Sequence, residues 1–130
     1  MASLNTKGLA EYQNRNPEIV SLDYYIAVTS EDQVVGIVGL YEQSEDCRET
    51  TLWLGWYCVD RKYRGLKIGK KLLEHAIEKA KSRQAKFLAL YTSTHKEEAK
   101  AQLVYEKFGF EITHRVKKKN FDLLYRRKAL

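Results

Sequence analysis

The sequence predicts a mixed α/β domain of the α+β type, in which helices pack on a central mixed sheet that is mostly antiparallel. Two observations lead to this fold class. Six segments are rich in aromatic and β-branched residues, and two others carry apolar residues at helical spacing, in the order β-β-β-α-β-α-β-β. The length of 130 residues suits one core and not two, so we expect a single domain over 1–130, with a short N-terminal element in residues 1–20.

The first three strands follow one another without a helix. Residues 22–29 and 34–41 flank a short polar connection, which predicts an antiparallel hairpin. A polar loop follows, and Thr51 to Val59 then predicts a third strand. Alternation places Trp53 and Tyr57 on one face of this strand and Trp56 on the other, either in the core or in an aromatic acceptor pocket.

A helix of about four turns is predicted next, because apolar residues recur every four positions. They are Ile68, Leu72, Ala76 and Ala80. Residues 86–91 predict a strand, and since a helix separates it from the third strand, the two should be parallel and joined by a right-handed crossover.

A second helix is predicted over residues 96–108. Residues 94–97 match a capping box, and Gly109 stands where a left-handed residue ends a helix. One face of this helix is apolar and carries Ala101, Val104, Tyr105 and Phe108. Residues 110–116 and 121–127 predict two closing strands.

Composition restricts the partners and the compartment. The net charge of +6 favours an anionic partner, which could be a nucleotide cofactor, a nucleic acid or an acidic surface. No apolar run reaches the roughly 20 residues that span a bilayer, and no secretory leader pattern opens the chain, so we expect a cytoplasmic protein with no membrane partner. Cys47 and Cys58 match no metal spacing and read as reduced thiols, with Cys58 packed.

The segment from Arg61 to Lys71 contains six cations and no acid, and it leads directly into the first helix. A helix N-terminus is already electropositive, so each lysine there is unfavourable by about 0.3–1 kcal/mol unless an anion binds. A bound phosphate is the simplest resolution.

Two motifs in order resemble the GNAT superfamily of N-acyltransferases. The run Arg64-Gly65-Leu66-Lys67-Ile68-Gly69 resembles that family's acyl-CoA pyrophosphate loop, and the helix ending Tyr105-x-x-x-Gly109-Phe110 resembles its second hallmark. The resemblance covers about residues 22–127. It implies an acetyl-CoA-dependent N-acetyltransferase, with direct attack by a primary amine and with a gap between the two parallel strands at the centre of the sheet.

The resemblance also implies roles for particular residues. Tyr105 would protonate the departing CoA thiolate. Main-chain groups at the end of the third strand, Tyr57, Cys58 and Val59, would bind the acetyl carbonyl and the pantetheine amides. The diphosphate would lie on the loop residues Arg64, Gly65, Leu66, Lys67, Ile68, Gly69 and Lys70. No metal is implied.

Some positions depart from the family pattern. Lys67 replaces a usual glycine, and we expect it to adopt right-handed helical angles, where lysine costs nothing. The two positions that often carry a glutamate as general base hold Ser93 and Trp53, and Glu98 replaces a frequent asparagine. Four side chains remain as candidate bases: Glu42, Asp46, Glu49 and His95. His75 and His114 read as surface residues.

Two other functions stay open. The domain could bind CoA without catalysis, as a sensor or scaffold, or it could be a basic nucleic-acid-binding domain, although nothing beyond its charge resembles one. The short N-terminus leaves the acceptor pocket open or completed by a second subunit, which would make the protein a homodimer. The acceptor amine is not fixed by any motif.

Overall fold

The computed structural model describes residues 19–43 and 50–130. In these ranges the chain forms six strands and two α-helices in the predicted order. They are β1 (Ile19–Val28), β2 (Val34–Gln43), β3 (Thr51–Val59), α1 (Ile68–Ser82), β4 (Phe87–Ser93), α2 (Ala99–Lys107), β5 (Glu111–Lys117) and β6 (Asp122–Ala129). Three residues with predicted roles lie outside the described residues: Cys47, predicted as a reduced thiol, and Asp46 and Glu49, predicted as candidate bases.

The strands form one sheet in the order β1-β2-β3-β4-β6-β5. β3 and β4 are parallel, and the other neighbouring pairs are antiparallel. Helix α1 connects the parallel pair, as expected for a crossover connection. The predicted fold class, a mostly antiparallel mixed sheet with one parallel β-α-β unit, is confirmed.

Both helices contribute to one core on the same face of the sheet. From α1 the core receives five buried residues, Leu72, Leu73, Ala76, Ile77 and Ala80. Strands β2 to β4 meet them with Val38, Leu40, Leu52, Leu54, Leu88 and Leu90, and α2 adds Tyr105. Since α1 presents every fourth residue to the core, the sequence periodicity was a sound guide to its buried face.

A β-bulge interrupts strand β3 at Trp56. There two residues of β3, Trp56 and Tyr57, lie opposite a single residue of β2, and Trp56 has a left-handed φ of 51°. The extra residue reverses the alternation. Trp56 therefore shares a face with Trp53, where both rings contact Tyr41, whereas Tyr57 packs on the helix side. The predicted grouping of Trp53 with Tyr57 was wrong.

The segment before α2 is held by hydrogen bonds to a residue distant in sequence, and not by a capping box. The Thr94 hydroxyl accepts a hydrogen bond from the Asp122 N–H at 2.8 Å, and the Thr94 N–H donates to the Asp122 carbonyl at 2.9 Å. A 3-10 turn, Lys96–Glu98, then leads into the helix. The capping-box prediction was wrong, because Thr94 bonds across to the start of β6. At the other end Gly109 has a φ of 87°, as predicted.

A buried guanidinium fixes α2 to the sheet. Arg126 of β6 is only 3% exposed. It donates to the Gln102 side-chain oxygen at 3.1 Å, to the Phe110 carbonyl at 3.0 Å and to the Glu106 carboxylate at 3.2 Å. These partners offset the cost of removing a charge from water. The orientation of α2 thus depends on one side chain of the neighbouring strand.

His75 of α1 is half-buried, which corrects its assignment to the surface. Its ring packs edge-on against Tyr25 with centroids 4.9 Å apart, and its Nε2 is buried with no hydrogen-bond partner among the described residues. Burial lowers the pKa of His75; Lys79 lowers it further and Glu78 partly opposes the shift. The native state therefore favours the neutral imidazole.

We predict that the protein loses stability below pH 6.5 because of His75. A depressed pKa in the native state means that the unfolded chain takes up the proton first as the pH falls. This contribution to stability is complete above the ordinary pKa of about 6.5 and disappears as the pH falls through the lower native value. Urea unfolding at pH 8 and pH 5 measures the difference.

The variant His75→Gln should show a smaller loss between these two pH values than the parent protein. His114→Gln is the matched control, since His114 is exposed and stacks on Tyr125 at the sheet edge. If both variants lose as much stability as the parent protein, His75 is not the source of the acid sensitivity.

Candidate functional site

The parallel strands β3 and β4 separate after a short ladder. They pair at three positions, Thr51–Phe87, Leu52–Leu88 and Trp53–Ala89, and the ladder then stops. A cavity of about 220 Å³ lies in the opening, and residues from both faces of the sheet line it. They are Leu54, Gly55, Trp56, Tyr57, Leu90, Tyr91, Thr92, Glu98 and Tyr105. The opening lies where the resemblance predicts it.

Past the bulge, the end of β3 pairs with β2 on one side only. Val59 lies opposite Gly36 and Cys58 opposite Ile37 in the antiparallel register. The other edge of β3 has no strand partner in the described ladder with β4, and at this end the Val59 carbonyl accepts a hydrogen bond from Arg64. Cys58 is exposed, which corrects its assignment as a packed thiol.

The basic loop connects the end of β3 to the N-terminus of α1. It starts with a 3-10 turn, Arg61–Tyr63, which Asp60 caps by accepting the Lys62 N–H at 2.9 Å. Arg64 donates from Nε to the Val59 carbonyl at 3.1 Å, so part of its guanidinium stabilises the loop itself. Gly65 has a φ of 82°, a conformation that glycine adopts without strain. These internal hydrogen bonds and the Gly65 conformation define the shape of the loop.

Lys67 adopts the left-handed conformation, with φ 65° and ψ 16°. The predicted right-handed angles were wrong because residue 67 is the N-cap of α1 and not its first helical residue, and an N-cap has non-helical angles. Its carbonyl accepts the N–H of Lys71 at 3.1 Å, which begins the helix. The left-handed conformation costs a residue other than glycine about 1–2 kcal/mol.

Gly69 allows a tyrosine to reach the start of α1. A Cβ at this position would lie 2.7 Å from the Tyr57 hydroxyl oxygen, closer than any contact tolerates. The Tyr57 ring in turn lies 6.1 Å from that of Tyr105, between centroids. Burial raises the pKa of Tyr57 to about 12. Tyr57 thus connects the start of α1 to Tyr105 through direct packing.

Tyr105 lies in the core wall of the opening and is 6% exposed. Its ring packs edge-on against Phe110 at 5.9 Å. Burial raises the pKa of Tyr105; Tyr57 and Glu98 raise it further, and Arg126 opposes them. The phenol is therefore protonated across the neutral range and can donate a hydrogen bond into the cavity.

Glu98 lines the same cavity, although the sequence reasoning did not count it among the candidate bases. Its Oε2 accepts the Ser93 N–H at 2.7 Å and a short hydrogen bond from the Ser93 hydroxyl. Gln102 reinforces this end of β4 by donating to the Ser93 carbonyl at 3.1 Å. Its spacing from Tyr105 could have indicated this position, since a residue seven positions earlier lies two helical turns away on the same face.

The two candidate bases that the structure describes, Glu42 and His95, are not brought to the opening. Glu42 accepts from the Ser21 hydroxyl at 3.4 Å and lies 4.0 Å from Arg83, beyond the end of α1. His95 is exposed and packs against Phe121 with centroids 4.5 Å apart. In the part of the chain that the structure describes, no group of three metal-ligating side chains occurs. Neither Glu42 nor His95 lines the cavity.

The aromatic side chains predicted for an acceptor pocket fall into two groups. Trp56 and Tyr57 line the cavity, from opposite faces of the sheet. Trp53 lies on the face away from the helices, edge-on to Tyr125 at 6.3 Å between centroids. The bulge thus separates Trp53 from Tyr57.

A mixed sheet that opens at its parallel pair, with a helix N-terminus and a buried tyrosine beside the opening, defines an acyltransferase fold. The sequence model of the acetyltransferase (GNAT) family matches residues 3–110, and the chain belongs to this family. The resemblance inferred from the two motifs is confirmed. No curated protein matches the chain by sequence.

Solved structures of similar fold include three acetyltransferases. One from Staphylococcus aureus Mu50, of the GNAT family, is 24% identical, with a TM-score of 0.72 over 98% of this chain and 81% of its own. A Bacillus anthracis structure, assigned as a streptothricin acetyltransferase and in complex with acetyl coenzyme A, is 24% identical, with a TM-score of 0.72. The match covers 88% of this chain and 67% of the Bacillus anthracis chain. The IAA acetyltransferase from Bacillus cereus is 25% identical, with a TM-score of 0.71, and the match covers 97% of this chain and 85% of the Bacillus cereus chain.

Neither helix within residues 19–43 and 50–130 has the length and apolar character needed to cross a bilayer.

We predict that Gly69→Ala destabilises the protein through Tyr57. The new methyl group would press on the Tyr57 hydroxyl, and overpacking of this kind costs about 1–3 kcal/mol, partly offset by the better helix propensity of alanine. In a Tyr57→Phe background the nearest contact is gone, so the cost should fall by about 0.5–2 kcal/mol. Free energies of unfolding for the four proteins of this cycle give the coupling.

Gly65→Ala is the control for this cycle. Nothing lies within 4 Å of a Cβ at residue 65, so its cost arises from the positive φ alone and should be the same whether position 57 holds tyrosine or phenylalanine. Equal costs of Gly69→Ala in both backgrounds would contradict the contact.

A second prediction concerns Lys67. Glycine removes the roughly 1–2 kcal/mol of left-handed strain but adds about 0.5–1 kcal/mol of chain entropy to the unfolded state, so Lys67→Gly should stabilise the protein by up to about 1.5 kcal/mol. Lys70→Gly, inside the helix, should destabilise it by about 1 kcal/mol. Chemical denaturation measures both, and a destabilised Lys67→Gly protein would count against the strain.

Proposed function

We propose that this protein is an acetyl-CoA-dependent N-acetyltransferase that moves an acetyl group to a primary amine by direct attack in a ternary complex. The observation that carries the proposal is the opening between β3 and β4. Gly69 at the start of α1 contacts Tyr57 there, and Tyr57 packs against Tyr105. Family membership and the acetyl coenzyme A complex of the Bacillus anthracis neighbour support acetyl-CoA as the co-substrate.

The loop of residues 64–70 would hold the diphosphate of acetyl-CoA. The first N–H groups of α1 have no partner inside the helix, and the helix dipole favours an anion at this end. Gly65 and Gly69 allow the main chain to approach the phosphates closely. Lys67 and Lys70 are exposed at the same place, and the first turn of α1 contains no acid to compete with the anion. The residues present fit a diphosphate.

The end of β3 would bind the arm that carries the acetyl group. Along Tyr57, Cys58 and Val59, one edge of β3 lies beside β2, with which Cys58 and Val59 pair. The other edge borders the opening, where β4 is no longer paired with β3. An extended amide-bearing arm can pair with such an edge as a strand would. A main-chain N–H placed at the thioester carbonyl would stabilise the negative charge that develops on its oxygen during attack.

Tyr105 would donate its proton to the leaving thiolate. Its raised pKa keeps the phenol protonated throughout the working pH range. A positioned proton donor typically contributes about 10²–10⁴ in rate. Burial against Tyr57 and Phe110 holds the ring in one orientation, so the hydroxyl needs no rearrangement before it acts.

The acceptor remains the open part of the proposal. Two structural neighbours carry names for different acceptors, a streptothricin acetyltransferase and an IAA acetyltransferase, so this fold serves more than one. Polyamines, amino acids, aminoglycosides and protein amines are the classes to be compared. Completion of the acceptor side by a second subunit stays a prediction.

A CoA-thiol release assay over a panel of these amines tests the function, with CoA binding followed by thermal shift. We expect turnover with at least one amine, and we expect Tyr105→Phe to lower kcat by about 100-fold or more while the thermal shift with CoA persists. Tyr125→Phe is the control, since Tyr125 packs against Trp53 on the opposite face of the sheet.

The results separate the alternatives. An undiminished rate in Tyr105→Phe would reject the role of Tyr105 as proton donor. A thermal shift with CoA but no turnover with any amine would favour a CoA-binding sensor or scaffold over an enzyme. No thermal shift with acetyl-CoA or CoA would reject the proposal entirely.

A further inference from the structure

The proposed reaction needs a group that removes a proton from the acceptor. A lysine-like amine with a pKa of about 10.4 is neutral in only about one molecule in 2,500 at pH 7, and only the neutral form can attack a thioester. The carboxylates and the histidine that the sequence offered as bases are absent from the cavity lining or lie outside the described residues. Among the described residues, the acceptor proton therefore needs another destination.

Among the described residues that line the cavity, Glu98 is the one with a carboxylate. It is held there by Ser93, whose N–H and hydroxyl both donate to Oε2. The second oxygen, Oε1, accepts no hydrogen bond from any described residue. The carboxylate thus has one oxygen that fixes its position and one that is available to a ligand in the opening.

Aromatic rings line the same cavity as this carboxylate, from both faces of the sheet. Trp56 and Tyr91 reach the cavity from the face away from the helices, and Tyr57 and Tyr105 reach it from the helix side. Trp56 is 39% exposed and Tyr91 is 51% exposed, so this side is open to an incoming molecule. Rings and a carboxylate together favour a cation, since the ring faces and the negative charge both attract it.

We propose that Glu98 recognises the acceptor as a protonated primary amine and accepts its proton, directly or through one water, before the amine attacks. This assignment rests on the proposed function and names the acceptor class as cationic amines. One ammonium proton passes to the Glu98 carboxylate. The amine nitrogen then bonds to the acetyl carbon, the carbon–sulfur bond breaks, and the thiolate takes the Tyr105 proton.

The proton balance closes without any other reagent. The attacking nitrogen loses a second proton to water as the amide forms, Glu98 releases its proton to solvent, and Tyr105 is reprotonated from solvent. The products are the acetylated amine and CoA thiol. No oxidant or metal takes part in these steps.

Other ionisable groups near Glu98 have different roles. Burial raises the pKa of Tyr57 on β3 and of Tyr105 on α2, so both phenols stay protonated and cannot serve as the base. The Arg126 guanidinium on β6 is occupied by Glu106, Gln102 and the Phe110 carbonyl. The proton acceptor is therefore Glu98 and not its neighbours.

The variant Glu98→Gln tests this assignment. The amide oxygen of glutamine can still accept the Ser93 hydrogen bonds, so the fold and the thermal shift with CoA should be unchanged. At pH 7 we expect kcat/KM for a cationic amine to fall by about 100-fold or more. The defect should shrink as the pH rises toward the pKa of the amine, and it should be small for an acceptor analogue whose amine is already neutral at pH 7.

Glu97→Gln is the matched control, because Glu97 is the exposed neighbour of Glu98 and does not line the cavity. A normal rate and pH profile in Glu98→Gln would overturn the assignment alone. Loss of the CoA thermal shift in that variant would also overturn it, because the carboxylate would then be structural. Absence of turnover in the unmodified protein would remove the proposed function, and this assignment with it.

Discussion

Strands β3 and β4 separate after three paired positions, and the rest of the site depends on this separation. The bulge at Trp56 lies just beyond the last pair and bends β3, because an extra residue increases the local twist of a strand. In a parallel pair both carboxyl ends lie at the same edge of the sheet, so the connections that follow β3 and β4 start side by side. The basic loop and the turn before α2 therefore meet at one opening.

Arg126 gives that opening a fixed wall. A guanidinium that is 3% exposed must have its donors satisfied, and its three acceptors all belong to α2 or to the chain just after it. Glu106 is 55% exposed, so the ion pair is only partly buried, but a buried guanidinium that loses a hydrogen-bond partner is strongly penalised, and the fold tolerates few positions of the helix. Through Gln102, which also donates to the Ser93 carbonyl, the same network reaches the end of β4. Tyr105 and Glu98 are consequently positioned by one set of contacts.

The order and type of the six strands and two α-helices in the described residues could be predicted from the sequence, because strand alternation and helical periodicity are local patterns. The bulge could not be predicted, since one extra residue leaves no mark on composition, and it reversed the face assigned to Tyr57. The hydrogen bonds of Thr94 could not be predicted from local sequence because the partner, Asp122, is 28 residues away. For Lys67, the sequence did not show which residue would be the N-cap, and that one position decides between left-handed and right-handed angles.

The basic loop combines two costs that respond differently to an anion. The six cations repel one another and the positive end of the α1 dipole, and a bound diphosphate would remove this electrostatic cost. Within the described residues only Lys70 of the six forms an ion pair, a solvent-exposed one with Glu74 at 3.9 Å, which contributes little. The left-handed strain at Lys67 belongs to the backbone and would remain when the anion binds. A lysine at this position therefore gains nothing from its backbone, and its charge is the property through which it can contribute to binding.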